Sequence, residues 1–296
     1  MASAAPTVEM VGDAESHTMP DGSVVVYRDR DHSYWTSATV DGNGASKCSG
    51  RLTGVTSVVS PYDWRPDNLM RWAANLNVAG VAALAAEGLS VDDIHDMRAC
   101  LRWLESGESI TAALEMGRLH WTQTRDDAAT QGTDVHRYAL QALAGGHPVP
   151  DLSRFAPDDQ GHARGIMAFW LECEPEPLHT EQIVCDLELG VAGRFDLICD
   201  LTYNGVRQRA LVDAKTTSSG FLPTKHHVQL AGYEHCASRV GIEPTEVRLI
   251  LQVFPDGRYV LTPSCATADD FLVAVDLYRR EARIKRELNA HRRATA

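Results

Sequence analysis

The order of apolar and polar positions predicts strands near the start of the chain and helices after them. Residues 1–20 are expected to form a disordered tail. Three β-rich runs, SVVVYR, SYWTSATV and GVTSVV, lie between residues 23 and 59, with turn residues such as DGNG between them. They predict a hairpin followed by a third strand. A mainly helical block is expected from Pro66 to about Gly146.

The second half of the chain alternates helical and strand-like patterns. The segment DDQGHARGIMAFWLEC predicts a helix, and three strand-like runs cover Thr180–Thr217. A helix from about Thr224 to Val240, two strands around the turn PDG, and a final helix from about Asp269 to His291 follow. Thr267 is the expected N-cap of that final helix.

This order of elements predicts a mixed central sheet flanked by helices, an α/β fold of the α+β type rather than a doubly wound one. We expect a single domain over residues 21–296. Within it, residues 21–146 would be an N-terminal β and helical elaboration, and residues 147–296 would hold the core and the C-terminal helix.

Composition narrows the class of protein. The net charge of −12 argues against a general nucleic-acid coat, although a local basic groove is compatible with it. The seven cysteines form no C-x-x-C pair, which argues against a zinc knuckle and favours a reducing compartment. The N-terminus does not look like a signal peptide, and the apolar run VAGVAALAA is too short to cross a bilayer. We expect a soluble, cytoplasmic protein without a membrane partner.

Asn204-Gly205 is a strong signal for a two-residue hairpin turn, and it sets a register in which facing residue numbers sum to 409. Leu197 then faces Val212 and Asp200 faces Arg209. One face of this hairpin is almost wholly apolar and would lie on the core. The other face carries charges, with Asp196 opposite Asp213 and Lys215 two residues further on.

Two carboxylates that face each other across a ladder have Cβ atoms roughly 5 Å apart. Their repulsion is on the order of 3 kcal/mol at an effective dielectric of about 20. A shared proton would relieve it, and so would a divalent cation with a preference for oxygen ligands. The alternative is that Asp213 and Lys215 are a solvated surface pair.

Two further segments carry polar side chains with a suitable spacing. In KHHVQLAGYEHCA, helical periodicity places His226, Gln229 and Tyr233 on one face, although an ordinary amphipathic helix explains the same pattern. In QGTDVHRYAL, Thr133 is an expected N-cap and places His136 in the first helical turn, where a surface role is the alternative. The spacing of the histidines around residue 226 does not match a zinc site.

The stretches GTDVH, GRFD, VDAK and QLAGY, in this order, resemble the motifs of RecB-like nucleases in the PD-(D/E)XK superfamily, especially stand-alone bacteriophage exonucleases. The resemblance implies a restriction-endonuclease-like core. It implies that His136, Asp196 and Asp213 are metal ligands, completed by the carbonyl of Ala214. Lys215 would be the catalytic lysine, with Gln229 and Tyr233 beside the site.

The function that this resemblance implies is DNA exonuclease activity dependent on Mg²⁺ or Mn²⁺, in phage recombination or DNA processing. The substrate would be linear DNA with an end, and the compartment would be the host cytoplasm for a phage-encoded protein. A single-strand annealing or recombinase protein is the partner implied by such a role. The alternatives are a catalytically silent module that binds DNA or protein, and a restriction-type endonuclease. The chain has no cysteine trio at its C-terminus and no G-x-x-x-x-G-K-[ST] loop.

Overall fold

The computed structural model describes residues 7–19, 22–40, 46–62, 144–146, 151–157, 159–217 and 220–295. The chain divides into two compact units, one formed by residues 1–63 with 134–296 and the other by residues 64–133. The expectation of a single domain over residues 21–296 stays a prediction. The predicted helical block lies outside the described residues except for residues 144–146. The strands and helices of the described residues belong to the unit of residues 1–63 and 134–296.

Five strands occupy the N-terminal region: β1 (Thr7–Val11), β2 (Ala14–Thr18), β3 (Val24–Arg28), β4 (Ser33–Val40) and β5 (Ser46–Gly54). The expectation of a disordered tail over residues 1–20 is wrong for residues 7–18. There β1 pairs with β2, and β2 in turn pairs with β3, where His17 lies opposite Val25. β2 thus pairs directly with β3, whose Val25, Val26 and Tyr27 are buried, and β1 follows on the outer side of β2. Local composition does not report such pairing.

The predicted hairpin of SVVVYR and SYWTSATV is confirmed, since β3 pairs antiparallel with β4 and Val26 lies opposite Trp35. Strand β5, which was not predicted, pairs in turn with β4, with Tyr34 opposite Leu52. The predicted strand over GVTSVV is wrong, because the strand precedes it and ends at Gly54. Residues Val55–Val58 form the single-turn helix α1. Val55 and Val58 are buried in the core. Their burial by packing rather than by strand pairing shows tertiary context overriding β propensity.

The remaining elements follow the predicted order. They are α2 (Gln160–Cys173), β6 (Glu176–Asp186), β7 (Val191–Tyr203), β8 (Val206–Thr216), α3 (Thr224–Arg239), β9 (Val247–Val253), β10 (Tyr259–Pro263) and α4 (Ala268–Thr295). Thr267 caps α4 as expected, because its Oγ1 accepts from the Asp270 N–H at 3.4 Å and its own N–H donates to Oδ2 of Asp270 at 2.7 Å.

The ten strands of the described residues belong to one mixed sheet in the order β1-β2-β3-β4-β5-β7-β8-β9-β10, with β6 paired to β7. The β5–β7 and β8–β9 pairs are parallel and the others are antiparallel. One apolar cluster joins the sheet to α1, α3 and α4, and a second joins it to α2. The fold is therefore a mixed α+β arrangement with a large sheet flanked by helices, as predicted. No helix within the described ranges is long and apolar enough to span a bilayer.

The hairpin of β7 and β8 has the predicted register, with Leu197 opposite Val212 and Tyr203 opposite Val206. Asn204 and Gly205 both have positive φ, 51° and 76°, which a two-residue turn of this kind requires. The predicted division into a core face and an exposed charged face is wrong. Ile198 and Leu211, on the face that carries the charges, are also fully buried. The reason is that α3 covers this face while α2 covers the other.

Candidate active site

Asp196, on β7, lies at the point where the β7–β8 ladder ends. The last ladder pair is Leu197 with Val212, one residue short of the predicted Asp196–Asp213 pair. Oδ2 of Asp196 instead accepts a hydrogen bond from the backbone N–H of Ala214 at 2.7 Å. The residue is only 9% exposed. A side-chain hydrogen bond thus continues the connection between the two strands after the backbone ladder stops.

Asp213 and Lys215, both on β8, form an ion pair. Lys215 Nζ lies 2.5 Å from Oδ2 of Asp213. Asp213 is 1% exposed, whereas the Lys215 side chain is 23% exposed. No donor in the described part of the chain meets this Asp213 oxygen at hydrogen-bonding angles, so the contact is held by charge. The interpretation of Asp213 and Lys215 as a solvated surface pair does not fit this burial.

Burial and charge oppose each other at all three residues. Burial raises the pKa of Asp196, while Lys215 and the Ala214 N–H act to lower it. Burial likewise raises the pKa of Asp213, Lys215 lowers it, and the Asp196 carboxylate raises it further. At Lys215 burial lowers the pKa, but Asp213 and Asp196 outweigh it and leave the pKa raised. Lys215 is therefore a cation at neutral pH.

The α3 helix presents a hydrogen-bonded row of side chains next to these charges. Gln229 Nε2 donates to Tyr233 Oη at 2.7 Å, and His226 Nδ1 lies 3.3 Å from Gln229 Oε1. Gln229 and Tyr233 are buried. Burial, followed by the nearby Lys215 ammonium, lowers the pKa of His226 to about 4, while the Asp213 carboxylate opposes the shift. The structure thus brings the three predicted helix residues together beside Asp213.

Tyr233 reaches the strand through a close approach that requires glycine. A Cβ atom on Gly193 of β7 would lie 2.6 Å from Cε1 of Tyr233 and 2.9 Å from Cγ2 of Val55. These separations are shorter than van der Waals contact allows, so any larger residue would displace the tyrosine ring. Gly193 of the GRFD stretch therefore lets α3 pack closely against the strand that carries Asp196.

The side chains of Asp196 and Asp213 and the carbonyl of Ala214 supply oxygen donors of the type that Mg²⁺ and Mn²⁺ bind. The described residues contain no group of three or more His, Cys, Asp or Glu side chains arranged to hold a metal. His136, the third side-chain ligand implied by the resemblance, lies outside the described residues. His235 contacts Asp186 at 2.9 Å, so it serves a different cluster from His226. The two carboxylates and the carbonyl fit part of a hard-cation site.

Sequence reasoning missed two charged residues near this cluster. Arg194 lies two residues before Asp196 and acts to lower its pKa. Glu181, on β6, acts to raise the pKa of Lys215 and lies 3.7 Å from Nε of Arg194. Glu181 has a positive φ of 50°, and it falls between the ladder pairs Thr180–Leu197 and Gln182–Phe195. The period of two along β7 could have indicated Arg194, whereas no local pattern indicates Glu181.

The electrostatic contact between α3 and β8 can be tested at His226. We expect an NMR titration to give His226 a pKa of about 4, raised in Lys215→Gln and lowered further in Asp213→Asn. Since the unfolded chain takes up this proton near pH 6.5, stability is lost as pH falls from 6.5 through 4. His226→Gln should lose less stability over that range. His291, exposed on α4, is the control, and an equal response of its ring to Lys215→Gln would contradict this account.

Comparison with known proteins does not identify a family for this chain. No family model matches the chain, and no curated protein matches it. Among solved structures, the chain is similar to the crystal structure of SSO0001, with a TM-score of 0.28 and 18% sequence identity. The match covers 51% of this chain and 74% of that chain. A similarity of this size carries no argument about the fold or the function.

Proposed function

We propose that this protein is a divalent-metal-dependent deoxyribonuclease that hydrolyses phosphodiester bonds. The observation that carries the proposal is the cluster of Asp196, Asp213 and Lys215 at the β7–β8 hairpin, in which two buried carboxylates share a lysine. A structural role gives little reason to bury two like charges, because a paired buried charge rarely adds stability over apolar packing. A cation and an anionic substrate give such a cluster a chemical use.

Asp196, Asp213 and the Ala214 carbonyl would hold the cation, together with His136 as the resemblance implies. When bound, a divalent cation polarises the phosphate and supplies hydroxide from water near neutral pH. The Ala214 N–H fixes one oxygen of Asp196 through its hydrogen bond. The orientation of this carboxylate is therefore set before any cation binds.

Lys215 would provide positive charge to the phosphate oxygens as negative charge develops on them. Its raised pKa keeps the ammonium protonated, which suits electrostatic stabilisation and positioning of water rather than base catalysis. Its side chain is partly exposed, so a substrate can approach the ammonium that is paired with Asp213. Gln229 and Tyr233 would position polar groups beside the same centre.

Exonuclease action on linear DNA is the form of this activity that the four-motif resemblance supports. A role in phage recombination or DNA processing, with an annealing or recombinase partner in the host cytoplasm, belongs to the same proposal. A catalytically silent DNA- or protein-binding module is the alternative, and the ion pair of Asp213 with Lys215 favours the enzyme over it. A restriction-type endonuclease is the second alternative.

The charged cluster can be tested by substitution. With Mg²⁺ or Mn²⁺, Lys215→Ala and Asp213→Ala should each lower the DNA cleavage rate by at least about a hundredfold, because each removes a group that acts on the transition state. Lys285→Ala and Asp256→Ala, at exposed positions, are matched controls that should cleave at the wild-type rate. Thermal unfolding checks that each variant is folded. Wild-type rates in either site variant would remove these residues from the mechanism.

The requirement for a DNA end can be tested with linear and circular substrates. With magnesium, the protein should degrade end-labelled linear DNA progressively from its termini and leave covalently closed circular DNA of the same sequence intact. Gel analysis of both substrates over time measures this directly. Rapid conversion of circles to linear DNA, with discrete internal cuts, would overturn the exonuclease assignment and favour a restriction-type endonuclease.

A further inference from the structure

Arg194 is held beside the carboxylates by an aromatic side chain from the N-terminal strands. Its Nη2 donates to Tyr27 Oη at 2.6 Å, and its Cζ lies 4.3 Å from the centroid of the Tyr27 ring. Tyr27 belongs to β3 and is fully buried. The guanidinium thus has a fixed position from a cation–π contact and one short hydrogen bond.

The carboxylates near Arg194 lie at long distances. Nε of Arg194 is 3.7 Å from Glu181 Oε2, and Nη2 is 3.9 Å from Asp29 Oδ1. Arg209, on the same hairpin, is a useful comparison, because it contacts Asp200 at 3.0 Å and Glu243 at 2.9 Å. The two arginine side chains are similarly exposed, 27% for Arg194 and 30% for Arg209. Arg209 is therefore paired with close carboxylates, whereas the side-chain hydrogen bond of Arg194 goes to the neutral Tyr27 and its two ion pairs are longer.

The Tyr27 hydroxyl is neutral and has two further polar neighbours besides Arg194. Burial raises the pKa of its hydroxyl, so the side chain is neutral over the physiological range. The hydroxyl donates to Asp29 Oδ1 at 3.3 Å and lies 2.7 Å from His32 Nδ1. Its oxygen can then accept the hydrogen bond of Arg194 without cancelling the positive charge.

Arg194 and Lys215 are two cations that act on Asp196. Arg194 shares the strand face of Asp196, two residues away on β7, and both cations act to lower the Asp196 pKa. The planar guanidinium presents several donors, and it suits a phosphate better than an ammonium does. The cluster therefore has one cation for the reacting phosphate and a second, partly exposed one close to it.

We propose that Arg194 is a second phosphate-binding residue, which contacts a nucleic-acid phosphate next to the one at Lys215, and that Tyr27 is its positioning residue. This inference rests on the proposed nuclease function. It gives β3, which is far from β8 in sequence, an indirect part in substrate binding through Tyr27. The expected contribution is to substrate affinity, independent of the DNA sequence.

The test measures binding of an end-labelled duplex DNA by fluorescence anisotropy across a range of salt concentrations, in an Asp213→Asn background that does not cleave it. Arg194→Gln should weaken binding about tenfold and reduce the slope of log affinity against log salt by about 0.9, the effect of one lost phosphate contact. Arg194→Lys and Tyr27→Phe should keep the slope and weaken binding less. Arg209→Gln is the matched control and should change neither quantity.

Cleavage kinetics separate the two claims. In otherwise wild-type protein, Arg194→Gln should raise KM more than it lowers kcat. If the wild type cleaves DNA but Arg194→Gln alters neither KM nor the salt slope, the inference is wrong and the nuclease proposal stands. If the wild type does not cleave DNA with Mg²⁺ or Mn²⁺, the proposed function fails, and the salt slope alone decides whether Arg194 binds phosphate. If Arg194→Gln does not unfold cooperatively, Arg194→Met takes its place, because it also removes the charge and the same loss of slope is expected.

Discussion

The burial of two carboxylates at the end of the β7–β8 ladder is the constraint on which the surrounding structure depends. Asp196 and Asp213 are almost completely removed from water on a sheet face that α3 covers. An unpaired buried charge costs several kcal/mol, so each needs a compensating partner. Asp213 has the Lys215 ammonium, and Asp196 has the Ala214 N–H. Burial is the main cause of the raised pKa of both carboxyls, and at Asp213 the Asp196 carboxylate raises the pKa further.

Elements far apart in sequence adjust to this constraint. The α3 helix brings Gln229 and Tyr233 against the cluster, and the absence of a side chain on Gly193 permits that approach. Arg194 extends the charge distribution to β3 through a hydrogen bond that joins residues 167 positions apart. The N-terminal strands, which contain no member of the four motifs, thus help to position a cation that acts on Asp196. The site is a property of the whole sheet rather than of one hairpin.

The sequence was sufficient where structure is local. Asn204-Gly205 sets the hairpin register through backbone conformation, so the opposition of Leu197 to Val212 could be predicted from residue numbers. Helical spacing alone placed Gln229 and Tyr233 on one face. The order of elements from α2 to α4 was also predictable from periodicity. The period of two along β7 and β8 likewise predicted that Asp196, Asp213 and Lys215 share one face of the hairpin.

Long-range packing accounts for what the sequence did not predict. The burial of both hairpin faces depends on α2 and α3 covering opposite sides of the sheet, and a pattern of alternating residues cannot report it. Strand β2 depends on pairing with β3 and β1 on pairing with β2, and α1 replaces a predicted strand because Val55 packs against Gly193 and Gly232. Glu181 owes its place near Lys215 to a left-handed backbone conformation within β6. Each of these follows from contacts between distant segments.

The account depends most directly on whether the two carboxylates bind a divalent cation. Thermal unfolding of wild type, Asp196→Asn and Asp200→Asn, each with increasing Mn²⁺, tests this, because a ligand at a hundred times its Kd stabilises a folded protein by about 2.7 kcal/mol. Asp200 is the matched control, because it lies on the same strand as Asp196 and pairs with Arg209 of β8. The account predicts that Mn²⁺ raises the Tm of wild type and Asp200→Asn, and that Asp196→Asn loses most of the rise. A wild-type Tm that does not respond to Mn²⁺, or an equal rise in Asp196→Asn, would contradict it.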